Sequence, residues 1–178
     1  PDRELAQRVK VELRRWNLDV DDSAGIALAD TTAGVFLRLV ASMASAQAAP
    51  IPALAMLKHH LCSAGMTHES FRDHVTTIER ATLRGPRPGP GFQGILKAAR
   101  EANVTGKALT LLQSIASAGK HLLSLTSSAS VPLADILVSH VAFAQWLAAD
   151  ASGNVEGRLW REEGGETARM LLEEVIST

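Results

Sequence analysis

Six basic side chains gather around one segment rich in Pro and Gly, and they are the residues of this chain best suited to bind another molecule. The segment, RGPRPGPG, spans 84–91, and its alternating Pro and Gly predict an exposed loop rather than a helix or strand. Guanidinium groups on such a loop can bind phosphates bidentately or pack against an acidic partner. The alternative is an ordinary solvated surface, since acidic residues share the same stretch. The six candidates for DNA or partner contact are Arg72, Arg80, Arg84, Arg87, Lys97 and Arg100.

The histidines are not spaced as metal ligands. His59 and His60 are adjacent, so they would point to different sides of a helix, and His68 and His74 are not four residues apart. His140 lies near the apolar stripe of its helix, where a core histidine bonded to the backbone is expected. We therefore predict no metal site among the histidines.

The chain carries none of the short motifs expected for an enzyme. It lacks a GxxxxGK[ST] phosphate loop and a GxSxG nucleophile elbow. Asp21 and Asp22 are adjacent, but no further carboxylate follows at the spacing of a calcium loop, so they are interpreted as a turn. We predict no catalytic, cofactor-binding or metal-binding residue, and no enzymatic activity in this chain.

Composition places the chain among ordinary globular domains. Its 178 residues suffice for one domain with a core, 46% are hydrophobic, and the formal net charge of −1 is not that of a stand-alone nucleic-acid binder. The single Cys62 excludes an internal disulfide and a four-thiolate metal or iron–sulfur site. No signal peptide and no apolar run long enough to span a bilayer are found, so a cytoplasmic protein without a membrane partner is predicted.

Apolar residues recur at helical spacing along nearly the whole chain. The pattern predicts an all-α, irregular multi-helix domain with at most one short strand, near Leu18 and Val20. A first helix carries a stripe of Leu5, Val9, Leu13 and Trp16, and a second is capped by Thr31 or Thr32.

Six further helices complete the prediction. One begins near Pro52 and ends at Gly65, and the next is capped by Thr67. After the Pro/Gly segment, helices are expected over about 92–102 and 107–125. Pro132 begins a long helix with Leu133 and five later residues facing inward, and the last helix follows the glycine pair at 164–165.

Seven segments, in order along the chain, carry a resemblance to a known family. Together they resemble the AddB subunits of bacterial AddAB-type helicase–nucleases, and they span nearly the whole chain. None of the segments is catalytic, but their ordered succession is specific. They are PDR, ELRRW, VDDSAG, TAGVFLRL, LKHHL, ERATLRGPRP and LWREEGGE.

The resemblance implies a function that the residues alone do not give. It implies that 1–46 is a partial RecA-like helicase segment after motif IV, and that 47–178 is a helical subdomain of the 2B type. The chain would then be a non-catalytic fragment of a subunit that repairs double-strand breaks. Its implied partners are an AddA-type subunit and DNA. ATP, Mg²⁺ and an iron–sulfur cluster in the nuclease domain would belong to the parent complex only. The alternative is a purely structural or protein-interaction module without DNA contact.

Overall fold

The chain folds into packed helices, with no strand in the parts that the structure describes. The computed structural model describes residues 3–18, 25–154 and 158–177. The all-α prediction is confirmed. The predicted short strand falls mostly outside the described residues. The α-helices are α1 (Arg3–Arg15), α2 (Thr32–Ser45), α3 (Pro50–Leu57), α4 (His68–Ile78), α5 (Gly91–Glu101), α6 (Gly106–Ala118), α7 (Lys120–Thr126), α8 (Leu133–Ala148) and α9 (Glu163–Ser177).

Helix α2 is the central element, because it packs against α3, α7, α8 and α9. Its start is fixed by Thr31, one of the two predicted caps, whose hydroxyl accepts a hydrogen bond from the Gly34 amide at 3.1 Å. Phe36, Val40 and Met43 are completely buried, as expected from their spacing of three or four residues. This apolar face holds the surrounding helices together.

A turn of unusual backbone conformation follows α2. Gln47 and Ala48 both have positive φ, at 50° and 52°, which is strained for residues with a side chain. The side-chain amide of Gln47 donates hydrogen bonds from Nε2 to the Leu123 carbonyl at 3.2 Å and to the Thr126 hydroxyl at 3.0 Å. Its backbone carbonyl accepts from the Gly91 amide at 2.8 Å. Gln47 thus ties the end of α2 to α7 and to the start of α5.

The predicted end of the third helix at Gly65 is wrong, since α3 ends at Leu57. The chain then forms an irregular turn whose amides bind the end of α8. Ser63 and Ala64 donate to the Leu147 carbonyl at 2.8 and 2.9 Å, and Gly65 donates to the Ala149 carbonyl at 2.8 Å. These tertiary hydrogen bonds replace the helical ones and satisfy carbonyls that α8 would leave unpaired.

The predicted helix over 107–125 is interrupted, and Gly119 separates α6 from α7. A Cβ at Gly119 would lie 2.8 Å from Phe92 Cε2 and 3.2 Å from Phe143 Cε2. Two aromatic rings from α5 and α8 therefore pack directly against the backbone at the junction. Periodicity does not reveal such a contact, because it depends on residues distant in sequence.

Two details of the last helices also differ from expectation. Leu133 is 62% exposed, so the inward face of α8 begins at Ile136, which packs against the core, and its fully buried part begins at Ser139. Helix α9 begins at Glu163 and includes the glycine pair that was expected to precede it. A Cβ at Gly164 would lie 2.7 Å from the Thr31 side chain, so Gly164 lets α9 approach the start of α2 closely.

Helix α1 stands apart from this packing. None of the extensive helix–helix contacts in the described chain involves α1. Residues 19–24, which include Asp21 and Asp22, lie outside the described residues. The predicted boundary between 46 and 47 stays a prediction, while the buried core draws on residues from both sides of it, including Phe36 and Phe143. Within the described ranges, no helix is both long and apolar enough to cross a bilayer.

Candidate nucleic-acid interface

A buried carboxylate organises the basic residues before the Pro/Gly loop. Helix α4 continues into one π-helical turn, Glu79–Leu83, in which the Arg84 amide donates to the Glu79 carbonyl five residues earlier, at 3.2 Å. The Glu79 side chain is only 6% exposed. Lys58 Nζ lies 2.7 Å from its Oε2, and Arg84 donates from Nε and Nη2 to its Oε1 at 3.1 and 3.0 Å.

This cluster keeps Glu79 ionised. The hydrogen bond from Lys58 holds the pKa of the Glu79 carboxyl below its ordinary value of 4.5, with Arg84 acting in the same direction and burial opposing them. The sequence could not reveal the role of Lys58, which lies 21 positions before Glu79. Arg84 is therefore bound within the protein, and of the six candidates it is the one with a structural role.

Four of the other candidates have exposed side chains. Among the described residues, no carboxylate lies within 4.0 Å of their guanidinium groups. Because Glu79 is bound by Lys58 and Arg84, its negative charge does not offset these groups. The four are Arg72, Arg80, Arg87 and Arg100.

The remaining candidate and the ends of the cluster are more balanced in charge. Lys97 lies 3.9 Å from Glu101, one turn further along α5. Arg72 shares the exposed outer face of α4 with Glu69 and Asp73. The strongest local excess of positive charge therefore lies along the π turn, the loop and α5.

Close backbone packing shapes the loop itself. A Cβ at Gly94 would lie 1.9 Å from the Gly89 carbonyl oxygen, so the loop folds directly against α5. Gly91 has φ +71°, which favours glycine. A shallow cavity of about 230 Å³ lies between the loop and the start of α3, lined in part by Pro50, Arg87 and Pro90. The loop presents Arg87 at the edge of this cavity.

The histidines make structural contacts. His140 is buried and its Nε2 lies 2.9 Å from the Leu37 carbonyl, which confirms the predicted backbone bond. His59 stacks on Phe36 with ring centroids 5.1 Å apart, and burial, with the neighbouring His60, lowers its pKa to about 4. In the part of the chain that the structure describes, no three His, Cys, Asp or Glu side chains are grouped to hold a metal ion.

Cys62 is a buried free thiol. Its Sγ donates to the Met56 carbonyl at 3.2 Å, and burial raises its pKa well above the ordinary value. A thiol in this setting is poorly reactive. Next to it in the same turn, Ser63 accepts a hydrogen bond from Arg158, which also donates to the His60 carbonyl at 2.9 Å.

Comparison with protein-family models, with curated proteins and with solved structures finds no match for this chain. The similarity to AddB-type subunits therefore rests on the seven sequence segments alone and stays a prediction.

Proposed function

We propose that this chain is a non-catalytic helical portion of the helicase-like region of an AddB-type subunit in a double-strand break repair helicase–nuclease. Its role there is to guide DNA or to pack against the AddA-type subunit. The ordered segments and the all-helical fold support the assignment. The observation that carries the DNA contact is the set of exposed guanidinium groups of Arg80, Arg87 and Arg100, which have no carboxylate within 4.0 Å among the described residues.

The chemistry of the site suits a phosphate backbone rather than base edges. Arginine presents a planar fork that matches a phosphate, and such contacts position a protein on DNA without reading sequence. The overall charge of −1 is compatible with this role only as part of a larger machine, in which other domains share the DNA channel. We also propose that the chain is located in the cytoplasm.

A titration with fluorescently labelled duplex and single-stranded DNA at low salt tests the proposal. We expect salt-sensitive binding, and we expect the combined variant Arg80→Glu, Arg87→Glu and Arg100→Glu to weaken it at least about tenfold. Each lost phosphate contact should lower the slope of log K against log salt by roughly 0.9 on duplex DNA. The matched control replaces three exposed basic residues elsewhere, Lys107, Lys120 and Arg161, with glutamate.

Equal DNA affinity for the triple variant and its control would contradict the DNA contact. The competing function, a protein-interaction module, would then be favoured if the triple variant still lost association with an AddA-type subunit. If the triple variant kept both DNA binding and association with an AddA-type subunit, the arginines would have no role in either proposed function. Circular dichroism confirms that each variant remains folded.

The proposal assigns no catalysis to this chain. ATP, Mg²⁺ and an iron–sulfur cluster belong, by resemblance, to the parent complex. Buried Cys62 is bonded to the Met56 carbonyl, so its thiol is not presented as a ligand at the surface. ATP hydrolysis or DNA cleavage by the purified chain would contradict this part of the proposal.

A further inference from the structure

The shallow cavity between the Pro/Gly loop and the start of α3 has apolar walls. Its volume is about 230 Å³, and the walls come from two separate turns of the chain. One wall is the connection between α2 and α3, with Ala46, Ala49 and Pro50, and the other is the loop, with Pro88 and Pro90. Saturated rings and methyl groups therefore form most of the lining, and a flat apolar group can pack against them by dispersion.

Tertiary contacts hold both walls of the cavity in place. On the first wall, the Gln47 carbonyl accepts a hydrogen bond from the Gly91 amide at the start of α5, at 2.8 Å. The Gln47 side chain is anchored to α7, where it donates to the Leu123 carbonyl at 3.2 Å. On the second wall, the Gly89 carbonyl leaves no room for a Cβ at Gly94, so the loop lies directly on α5. A ligand would lose little affinity to the ordering of these walls.

The edge of the cavity is positively charged. Arg87 lines it and is exposed, and no carboxylate among the described residues lies within 4.0 Å of its guanidinium group. Apolar walls beside an unpaired arginine suit a ligand that joins a flat apolar group to an anion. A nucleotide is such a ligand, because its base is flat and its phosphate matches the guanidinium fork.

We propose that this cavity receives one unpaired base of single-stranded DNA, while Arg87 binds the adjoining phosphate. Bases in a duplex are stacked and paired, so only a single strand can turn a base into the cavity. The base is held by its face and not by its edges, so binding does not depend on sequence. This inference rests on the proposed DNA contact and adds a preference for single strands at the loop, since Arg80 and Arg100 can bind phosphates in either form of DNA.

Removal of the bases at constant charge tests the proposal. The native chain is titrated at low salt with fluorescently labelled oligothymidylate and with an abasic oligonucleotide that carries the same number of phosphates. We expect the abasic strand to bind at least about fivefold more weakly, because the burial of base faces contributes strongly to single-strand binding. A contact made with phosphates alone would bind the two strands equally.

A variant that fills the cavity without a change of charge separates the base from the phosphate. Ala46 lines the cavity and ends α2 with φ −84° and ψ 8°. Ala46→Leu should lower the affinity for oligothymidylate to that for the abasic strand and leave the affinity for duplex DNA unchanged. Ala102→Leu is the matched control, because Ala102 ends α5 with φ −84° and ψ 9° and does not line the cavity. The control should keep the full difference between the two strands.

Replacement of the arginine at the edge tests the phosphate contact. Arg87→Gln should weaken the binding of oligothymidylate more than the binding of duplex DNA. Arg100→Gln, which removes the same charge from α5, should weaken both to a similar extent. An equal effect of Arg87→Gln on the two forms of DNA would contradict a phosphate held beside a seated base.

The outcomes distinguish this inference from the proposed function. Salt-sensitive binding that is equal for oligothymidylate and the abasic strand would overturn the base cavity and leave the phosphate contact intact. A preference for oligothymidylate that survives in folded Ala46→Leu would also overturn it. Absence of binding to any DNA would overturn both proposals. Circular dichroism checks the fold of each variant, and Ala49→Leu, on the same wall, replaces Ala46→Leu if the latter does not fold.

Discussion

The buried carboxylate of Glu79 and its two exposed cations do not depend equally on each other. Its side chain is almost completely buried, whereas those of Lys58 and Arg84 are 50% and 67% exposed. If either cation is lost, the other still binds the carboxylate. If the carboxylate is replaced by a neutral amide, water can solvate both cations. The amide stays buried, however, and lacks the charge-assisted hydrogen bonds that the carboxylate accepted.

Replacing Glu79 with Gln should therefore lower the free energy of unfolding by about 1–2 kcal/mol near pH 7, the usual range for charge-assisted hydrogen bonds. Because folding lowers the pKa of Glu79, its stabilisation is fully present above pH 4.5 and is lost as the pH falls through the folded-state pKa. Urea titrations at pH 7 and at progressively lower pH should show that the difference in free energy of unfolding between the native chain and the variant becomes smaller.

The exposed Glu101 gives the matched control, since its carboxylate is 67% exposed and 3.9 Å from Lys97. Glu101→Gln should change the free energy of unfolding by less than about 0.5 kcal/mol. The stabilising role of the buried cluster would be contradicted if Glu79→Gln changed the free energy of unfolding equally little, or if its effect grew as the pH fell.

At the scale of helices, the junction between α6 and α7 depends on the absence of a side chain. Alanine favours helix over glycine by roughly 1 kcal/mol, so an alanine at position 119 would locally favour a longer helix. The rings of Phe92 and Phe143 occupy the space that a Cβ at Gly119 would need. The tertiary contact therefore requires glycine, although alanine would be the better helix former.

We expect Gly119→Ala to destabilise the protein by about 1–3 kcal/mol, the usual cost of overpacking a core. Gly85→Ala is the matched control, because a Cβ at Gly85 meets nothing within 4 Å, and this change should be neutral or slightly stabilising. Thermal unfolding followed by circular dichroism compares the two. An increase in stability from Gly119→Ala would show that the rings move aside at little cost.

At the scale of the whole molecule, the described core is one continuous cluster. It runs from Ala33 near the start of α2 to Ala168 in α9, and α2 lies at its centre. The predicted boundary at 46 cuts the sequence within this cluster. A boundary in sequence therefore does not separate two cores in the described structure.

Unfolding should accordingly be one cooperative transition for everything except α1. Phe36→Ala removes a fully buried ring and should lower the free energy of unfolding by about 3–5 kcal/mol. The midpoints followed by far-ultraviolet circular dichroism and by tryptophan fluorescence, to which buried Trp160 contributes, should shift together. Two resolved transitions, with only one of them moved by the variant, would instead support separate units.

Local chemistry was sufficient to predict part of this molecule. Threonine caps at Thr31 and Thr67, the periodic faces of α2 and α4, and the proline-rich loop all depend on neighbours within a few residues. The break at Gly119 and the burial of Glu79 depend on partners that only the fold brings close. For the same reason, the sequence could propose six basic candidates but could not show that Arg84 is bound internally.

The three consecutive amides of Ser63, Ala64 and Gly65 bind the carbonyl end of α8. The amide protons of an irregular turn usually exchange with solvent quickly. These three can exchange only when their hydrogen bonds to the end of α8 break. Deuterium uptake at these amides should be as slow as uptake in the last turns of α8. The connection between α3 and α4 thus belongs to the slowly exchanging interior, although it contains no regular secondary structure.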